Sequence, residues 1–259
     1  MKIFDAHTHA VVPEFYEDYK KKGLTGFLGI RTPGLPMDDE EFYKMIESDP
    51  NYYVLEYVDY YEGIDFHFER IKKLYEKHKD KIVGIKIYPG YDPIYPNDLI
   101  LHKIYDYALE KNLVIVFHNG IVADDEHKAS LKYAHPIEVD DLANGYPNLK
   151  IVISHLGFPY MIESATVVMK NDNVYTCFSG IIESDGLAKD VLKDDLTRIL
   201  KYYPTLVDKL LFGTDYFGED SDYNNLLSYK EMAESLFSDE DLEKKYYKNA
   251  CNLYNISLK

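Results

Sequence analysis

The sequence predicts an α/β fold of the (β/α)8 type, the TIM barrel, and three observations support this prediction. The chain has 259 residues, and a length of about 250 residues is typical of one such barrel. Short apolar runs alternate with longer amphipathic stretches about eight times, with short connections between them. Neither a linker nor a low-complexity segment interrupts the alternation, which predicts a single domain over residues 1–259. A doubly wound open sheet shares this alternation but usually has fewer strands.

The predicted strands are short runs rich in apolar, aromatic and β-branched residues. The run LVIVF at residues 113–117 is apolar throughout, as expected of a parallel strand that is buried on both faces. The weakest strand is the second, because glycine and proline are dense across residues 26–36. In chain order, the predicted strands are residues 2–4, 27–30, 53–57, 82–87, 113–117, 149–153, 174–178 and 210–212.

The stretches between these strands are predicted to be helices, since their apolar residues recur at helical spacing. Phe66, Ile71 and Leu74 indicate the buried face of the third helix. Asp38 or Asp39 is predicted to cap the N-terminus of the second helix. In chain order, the predicted helices are residues 13–22, 38–46, 66–75, 99–110, 136–144, 161–169, 191–202 and 226–252.

The overall charge argues against polyanionic partners. The net charge is −16 and the isoelectric point is about 4.9, so the average surface repels nucleic-acid phosphates and anionic lipid headgroups. No apolar run approaches the roughly 18 residues that indicate a membrane span. We therefore expect a small-molecule substrate, with neither nucleic acid nor a membrane as partner. The sequence does not decide whether the chain forms a homo-oligomer.

Cysteine usage and the N-terminal sequence predict a cytoplasmic protein. Cys177 and Cys251 are far apart in the sequence, and isolated thiols are expected in preference to a disulfide. A secretory signal peptide needs about 15–30 residues before the mature chain. Here the first motif with metal-binding chemistry already begins at Asp5.

Five side chains with metal-binding chemistry follow predicted strands directly. His7 and His9 follow KIF, His118 follows LVIVF, His155 follows LKIVIS, and Asp215 follows LLFGT. Because the strand ends of a barrel meet at one face, residues that are distant in sequence are expected to form one site there. Alternate residues of a strand point to the same side, so both imidazoles of an H-x-H pair can reach one ion.

Imidazole and carboxylate ligands predict one or two divalent ions, with Zn²⁺ as the first choice and Mn²⁺ as the alternative. Such an ion activates water near neutral pH. Asp215 is predicted to bind the metal and also to accept a proton from that water. The predicted catalytic residues are therefore Asp215 and His155.

Taken one at a time, these residues have ordinary explanations. An H-x-H pair often occurs by chance, and a lone histidine after an apolar run is often a satisfied, partly buried side chain. Asp215 alone would suggest only a helix cap. Their joint occurrence at four strand ends favours a functional site. The helical histidines His67, His78 and His102 are instead predicted to lie at the surface.

Lys86 is the main candidate for substrate binding. It lies between Ile85 and Ile87 in GIKIYPGY, in a run that should be buried, and a buried lysine needs a partner. Two roles fit: a carboxylated lysine that bridges two ions, or an ammonium that holds an anionic substrate and selects one with a carboxylate. Tyr88 continues this strand and is expected to line the pocket. Asp5 is expected either to orient a metal ligand or to cap the local backbone.

These motifs resemble a known family. The segments DAHTH, GIKIYPGY, VIVFHNG, YPNLKIVISHLG, NVYTCFSG, LLFGTDYF and KNACNLYNI are similar, in order, to landmarks of the amidohydrolase-related family, amidohydrolase 2 branch. Its members are metal-dependent TIM-barrel hydrolases of small lactones and amides, and also decarboxylases. The resemblance implies that His7, His9, His118 and Asp215 bind the metal. His155 would be a further ligand or an acid/base residue.

The resemblance leaves several reactions open. We expect a hydrolase of a small ester, lactone or amide, because hydrolysis needs nothing beyond the ligand set. The alternative is a non-oxidative decarboxylase of an aromatic or enolic acid. A non-catalytic metal-binding protein is a third hypothesis, although structural sites usually close every coordination position with protein ligands. A TatD-type nuclease is disfavoured, since that branch usually has glutamate at the position of Lys86.

Overall fold

Eight strands alternate with helices along the chain, as the sequence predicts. In the computed structural model, the described residues are 1–9, 17, 20–31, 37–122, 130–182, 187–216 and 226–259, with the side chains of residues 187 and 188 outside this set. Most of the helix predicted at 13–22 lies outside the described residues. The strands are β1 (Phe4–Thr8), β2 (Gly26–Ile30), β3 (Tyr52–Tyr57), β4 (Ile82–Ile87), β5 (Val114–Phe117), β6 (Ile151–Ile153), β7 (Val174–Phe178) and β8 (Leu210–Phe212).

The strands are hydrogen-bonded in chain order, from β1 to β8. Every pairing whose register is described is parallel. Parallel strands that follow each other in sheet order and are connected by helices define the (β/α)8 class, which confirms the predicted fold class. The helices are α1 (Asp39–Glu47), α2 (Ile64–His78), α3 (His102–Lys111), α4 (Glu138–Gly145), α5 (Met161–Lys170), α6 (Leu187–Tyr202), α7 (Leu226–Leu236), α8 (Asp239–Glu243) and α9 (Asn249–Tyr254).

Backbone contacts divide the chain into two compact units, 1–53 with 177–259 and 54–176, and both boundaries lie inside strands, β3 and β7. In the first unit, β1 pairs with β2 through Phe4 and Gly26. All five residues of each strand are buried. The segment that follows β8 is hydrogen-bonded to β1 at His7, so β1 lies between β2 and β8 in this unit.

The second unit contains the pairings from β3 to β7. Its strands are short and apolar: β5 and β6 are buried at every position, as expected of parallel strands that are covered on both faces.

Asp38 caps α1 in the first unit, since its carboxylate accepts from the N–H of Glu41, as predicted.

Two sequence predictions about helices are wrong. The buried face of α2 consists of Ile64, His67, Ile71 and Leu74. Phe66, which the sequence predicts on the buried face, is 61% exposed, and His67, which it predicts at the surface, is only 1% exposed. The closing helical region predicted at 226–252 is confirmed, and it is divided into consecutive helices, because α7 ends at Leu236 and Ser238 caps α8. None of the helices in the described part of the chain combines the length and apolar character that a membrane span requires.

Candidate metal centre

Two histidines and one aspartate form a compact cluster in the first unit. His7 lies in β1, His9 follows it, and Asp215 lies three residues beyond β8. The Oδ1 atom of Asp215 lies 3.2 Å from Nε2 of His7 and 3.3 Å from Nε2 of His9. Both imidazoles are buried, and Asp215 is partly exposed. Both rings are therefore directed toward one carboxylate, as two alternate residues can be.

The backbone around Asp215 is tied to β1. The amides of Thr214 and Asp215 donate to the carbonyl oxygen of His7, at 3.2 and 2.7 Å. The amide of His9 donates to the carbonyl oxygen of Tyr216, at 2.7 Å. Asp215 has a φ of 65°, a left-handed conformation that costs about 1–2 kcal/mol for a residue with a Cβ. Such strain persists where neighbouring contacts impose it, and functional sites are common among such places.

Gly213 allows the end of β8 to approach β1 closely. A Cβ atom at this position would lie 2.8 Å from Cβ of His7 and 3.1 Å from Cβ of Ser179. Real Cβ atoms essentially never approach other heavy atoms to 2.8 Å. The absence of a side chain at Gly213 therefore helps to set the distance between the histidine pair and Asp215.

Asp5 holds the backbone from which these side chains project. Its Oδ1 accepts from the amides of His7, at 3.0 Å, and Thr214, at 3.2 Å. Its Oδ2 accepts from the hydroxyl of Thr214 at 2.6 Å. Asp5 thus joins β1 to the segment after β8. Of the two roles considered for Asp5, these contacts favour the capping of local backbone.

The donor set of this cluster fits a divalent metal. The Nε2 atoms of His7 and His9 each lie within hydrogen-bonding range of one Asp215 oxygen, and both imidazoles are buried. Imidazole and carboxylate are ligands that zinc and neighbouring first-row metals accept. A carboxylate withdrawn from water beside two imidazoles needs a compensating positive charge, which a proton or a metal supplies. His7, His9 and Asp215 are thus the residues of the first unit that would hold the ion.

In the second unit, the two other predicted ligands lie next to each other. His118 follows β5 and His155 follows β6, and their ring centroids are 5.0 Å apart. The Nε2 of His118 lies 3.0 Å from the carbonyl oxygen of Ile121. Because a carbonyl only accepts, Nε2 carries the hydrogen, which makes Nδ1 the nitrogen that can accept.

His155 is held in an unusual backbone conformation. Its φ is 58° and that of Leu156 is 48°, so two consecutive residues with a Cβ are left-handed. His155 is 8% exposed and offers one ring nitrogen as a ligand atom. As with Asp215, the strain occurs at a residue that the sequence predicts to be functional, which is where such conformations are often found.

Lys86 is buried, as the sequence predicts. It is 1% exposed, and its Nζ donates to the hydroxyl of Ser154 at 2.8 Å. Nζ also lies 5.3 Å from the centroid of the Tyr88 ring. The Tyr91 ring packs between those of Tyr88, at 6.4 Å, and His118, at 4.8 Å. A lysine side chain and two aromatic rings therefore lie in the same unit as His118 and His155.

Sequence reasoning missed the residues that surround His7. The Sγ of Cys177 lies 3.4 Å from Nδ1 of His7 and 3.0 Å from Oγ of Ser179. Cys177 and Ser179 are two residues apart at the end of β7, which is the same spacing as His7 and His9. That spacing is the one signal in the sequence that points to them, because alternate strand residues share a face.

The chain is similar in fold to several solved structures, and no curated protein matches its sequence significantly. One is an uncharacterised TIM-barrel protein of Bordetella bronchiseptica, with 16% identity, a TM-score of 0.73, and coverage of 98% of this chain and 99% of that one. Another is a probable 2-pyrone-4,6-dicarboxylic acid hydrolase of Acinetobacter baumannii, with 14% identity, a TM-score of 0.70, and coverage of 99% and 100%. A third is the 5-carboxyvanillate decarboxylase of Sphingomonas paucimobilis, with 16% identity, a TM-score of 0.61, and coverage of 94% and 83%.

These likenesses show the TIM-barrel fold, and they include one hydrolase and one decarboxylase. The family is shown by the sequence itself. The family model that describes amidohydrolases matches residues 4–256, which is nearly the whole chain, and the chain therefore belongs to the amidohydrolase family.

Proposed function

We propose that this chain is a metal-dependent hydrolase of a small ester, lactone or amide that carries a carboxylate. The observation that carries the proposal is the contact of one Asp215 oxygen with the Nε2 atoms of both His7 and His9. Membership of a family whose enzymes are generally metal-dependent supports it. We propose that His118 and His155 also belong to the ligand set, since each follows a strand of the barrel.

Zinc is the proposed metal and manganese the alternative, because both accept imidazole and carboxylate ligands. When bound, a divalent cation supplies Lewis-acid chemistry, which polarises a carbonyl group and makes water a stronger acid near neutral pH. The chain would need one or two such ions.

Side chains of this protein would carry out the proton transfer, the stabilisation of charge and the binding of substrate. Asp215, which is partly exposed beside two buried imidazoles, would accept a proton from the attacking water and return it to the leaving group. His155 would stabilise the negative charge that develops on the substrate oxygen, or act as a further ligand. The Nζ of Lys86 would bind the substrate carboxylate, with the Tyr88 ring beside it.

The alternative is non-oxidative decarboxylation of an aromatic or enolic acid. The buried ammonium of Lys86 favours an acid as substrate in both reactions. In the alternative, His155 or Asp215 would deliver a proton to carbon. The acidic surface and the family argue for a small molecule in either case, and the cytoplasmic location stays a prediction.

A substrate panel distinguishes the two reactions. Purified protein would be stripped with a chelator, reloaded with Zn²⁺ or Mn²⁺, and incubated with lactones, esters and amides, each with and without a carboxylate, and with hydroxybenzoates. We expect chelator-sensitive hydrolysis of carboxylate-bearing substrates that Asp215→Asn abolishes. The control Asp195→Asn, which changes an aspartate paired with Arg198 on α6, should keep wild-type activity. Hydrolysis that survives the chelator would refute the proposal, and CO₂ release without hydrolysis would establish the alternative.

A further inference from the structure

We propose that Cys177 is a positioning residue that fixes the ring of His7 for metal binding. The inference rests on the proposed metal-dependent function and adds a residue to that site. Cys177 is fully buried at the end of β7, and its Sγ lies 3.4 Å from Nδ1 of His7. Cys177 is therefore in direct contact with the ring nitrogen on the side opposite the one that approaches Asp215.

The alternation of β7 places the thiol against β1. Cys177 and Ser179 are two residues apart and lie 3.0 Å from each other through Sγ and Oγ. Between them, Phe178 points to the other face, where its ring packs against Tyr229 with centroids 5.7 Å apart. Since neighbouring strand residues face opposite sides, the contact of Cys177 with His7 follows from the pleat of β7, which also places Ser179 beside Cys177.

The two nitrogens of His7 face different partners. Nε2 lies 3.2 Å from the Asp215 carboxylate, and Nδ1 lies against the thiol. A histidine that binds a metal through one nitrogen donates the hydrogen on the other nitrogen to a neighbouring group, which fixes its tautomer and ring orientation. With Nε2 as the ligand, Nδ1–H donates to Sγ of Cys177, and the thiol hydrogen can then point to Oγ of Ser179.

This arrangement is unusual in one chemical respect. The partner of a ligating histidine is generally a carboxylate, a backbone carbonyl or water, whereas a thiol is a weak acceptor and a weak donor. A serine hydroxyl can replace both functions of the thiol, and an aliphatic side chain can replace neither. The effect of a substitution at Cys177 on metal affinity should therefore follow hydrogen-bonding capacity rather than size.

The experiment measures metal affinity and metal geometry in the purified full-length chain. Zn²⁺ dissociation constants would be obtained by competition with a chromogenic chelator, and visible absorption spectra would be recorded after Co²⁺ loading. We expect Cys177→Val to weaken Zn²⁺ binding about ten-fold, at the lower end of the effect of such partners, and to shift the Co²⁺ absorption bands. Cys177→Ser should retain most of the affinity and the wild-type spectrum.

Cys251 provides the matched control. It is the other cysteine of the chain and lies in α9, where it is only half-buried. Cys251→Val should leave both the Zn²⁺ affinity and the Co²⁺ spectrum unchanged. If Cys177→Val fails to fold, as judged by circular dichroism and thermal melting, Cys177→Ala takes its place.

The outcomes separate the two proposals. If the wild type binds Zn²⁺ and Cys177→Val binds it equally well with the same Co²⁺ spectrum, the positioning role is overturned and the proposed function stands. If Cys177→Ser loses as much affinity as Cys177→Val, the thiol acts through its size and the positioning role is also overturned. If the wild type binds neither ion, both proposals fail.

Discussion

Replacing Lys245 with methionine should raise the free energy of unfolding, because this lysine is buried and has no polar partner among the described residues. Its side chain is 0% exposed, and Nζ has no hydrogen-bond partner among the residues that the structure describes. Nζ lies 3.7 Å from the centroid of the Phe178 ring and 5.0 Å from that of Phe237. Burial lowers the pKa of Lys245 well below its ordinary value, which favours a neutral amine in the folded chain.

Two opposing effects determine how much Lys245→Met changes the free energy of unfolding. Contact with aromatic faces stabilises an ammonium by up to about 2 kcal/mol, whereas the burial of an isolated charge in apolar surroundings costs far more. Burial therefore favours the neutral amine in the folded state, and an unsatisfied buried polar group costs about 1–3 kcal/mol. Methionine has a similar unbranched shape without the polar end. We expect Lys245→Met to raise the free energy of unfolding by about 1–3 kcal/mol at pH values above the ordinary pKa of lysine, where both states hold the neutral amine, and by more near neutral pH.

The advantage of the variant should shrink as the pH rises. In the unfolded chain, Lys245 binds a proton below its ordinary pKa of 10.5, whereas in the folded chain it does so only below its lowered pKa. Between these two values the unfolded state binds more protons, so the stability of the wild type rises with pH. Methionine does not titrate, so the difference should fall by up to about 1.4 kcal/mol per pH unit in this window.

Urea unfolding at about pH 7 and about pH 9 tests both statements. Lys244 provides the control: it neighbours Lys245 but forms an ion pair with Asp208 at 3.0 Å. Lys244→Met should therefore bring no gain in stability. The reasoning would be refuted if Lys245→Met were less stable than the wild type, or if its advantage were the same at both pH values.

Three further substitutions test the site. Gly213→Ala should weaken Zn²⁺ binding and cost about 1–3 kcal/mol of stability, measured by chelator competition and urea unfolding, because its Cβ would lie 2.8 Å from Cβ of His7. An unchanged Zn²⁺ affinity would show that the end of β8 can shift to make room for the added methyl group. Lys86→Met should raise KM for carboxylate-bearing substrates about 10- to 100-fold, the worth of a charge-assisted hydrogen bond, and leave KM for neutral analogues unchanged. Tyr229→Phe should destabilise the chain by about 1–3 kcal/mol in urea unfolding, because the amide of Ile181, 3.0 Å from the phenol oxygen, loses its acceptor; a neutral effect would contradict this.

Much of the fold follows from the sequence because the strands are continuous apolar runs. The predicted bounds 82–87, 174–178 and 210–212 are those of β4, β7 and β8. The weak second strand is also present, and β2 is buried at all five positions. Gly26 allows a neighbouring backbone to approach β2 closely, because a Cβ there would lie 2.6 Å from the carbonyl oxygen of Asn51.

The face of α2 shows where sequence patterns fail. The buried set Ile64, His67, Ile71 and Leu74 has the spacing of a helix face, but its second member is polar. Phe66 took the place of His67 in the predicted face because phenylalanine is the more hydrophobic residue. In the structure, the Nε2 of His67 lies 3.0 Å from the Glu62 carboxylate, and such a polar contact offsets the cost of burial.

The sequence was enough to predict which residues form the candidate site, but not which contacts hold them in place. His7, His9 and Asp215 could be identified because they lie at or just beyond the ends of strands. The left-handed backbone of Asp215 could not, since it depends on hydrogen bonds to a residue more than 200 positions away. The contact of Cys177 with His7 depends on the pleat and register of β7, which sequence spacing alone does not fix.

The most direct test of the metal centre is the metal content of the purified chain. After dialysis against Zn²⁺ and removal of the excess, elemental analysis should find one or two equivalents in the wild type. The double substitution His7→Ala and His9→Ala should lose the metal. His102→Ala, a control on α3, should retain it. A wild type without stoichiometric metal, or a double variant that keeps all of it, would contradict the assignment of the centre to these residues.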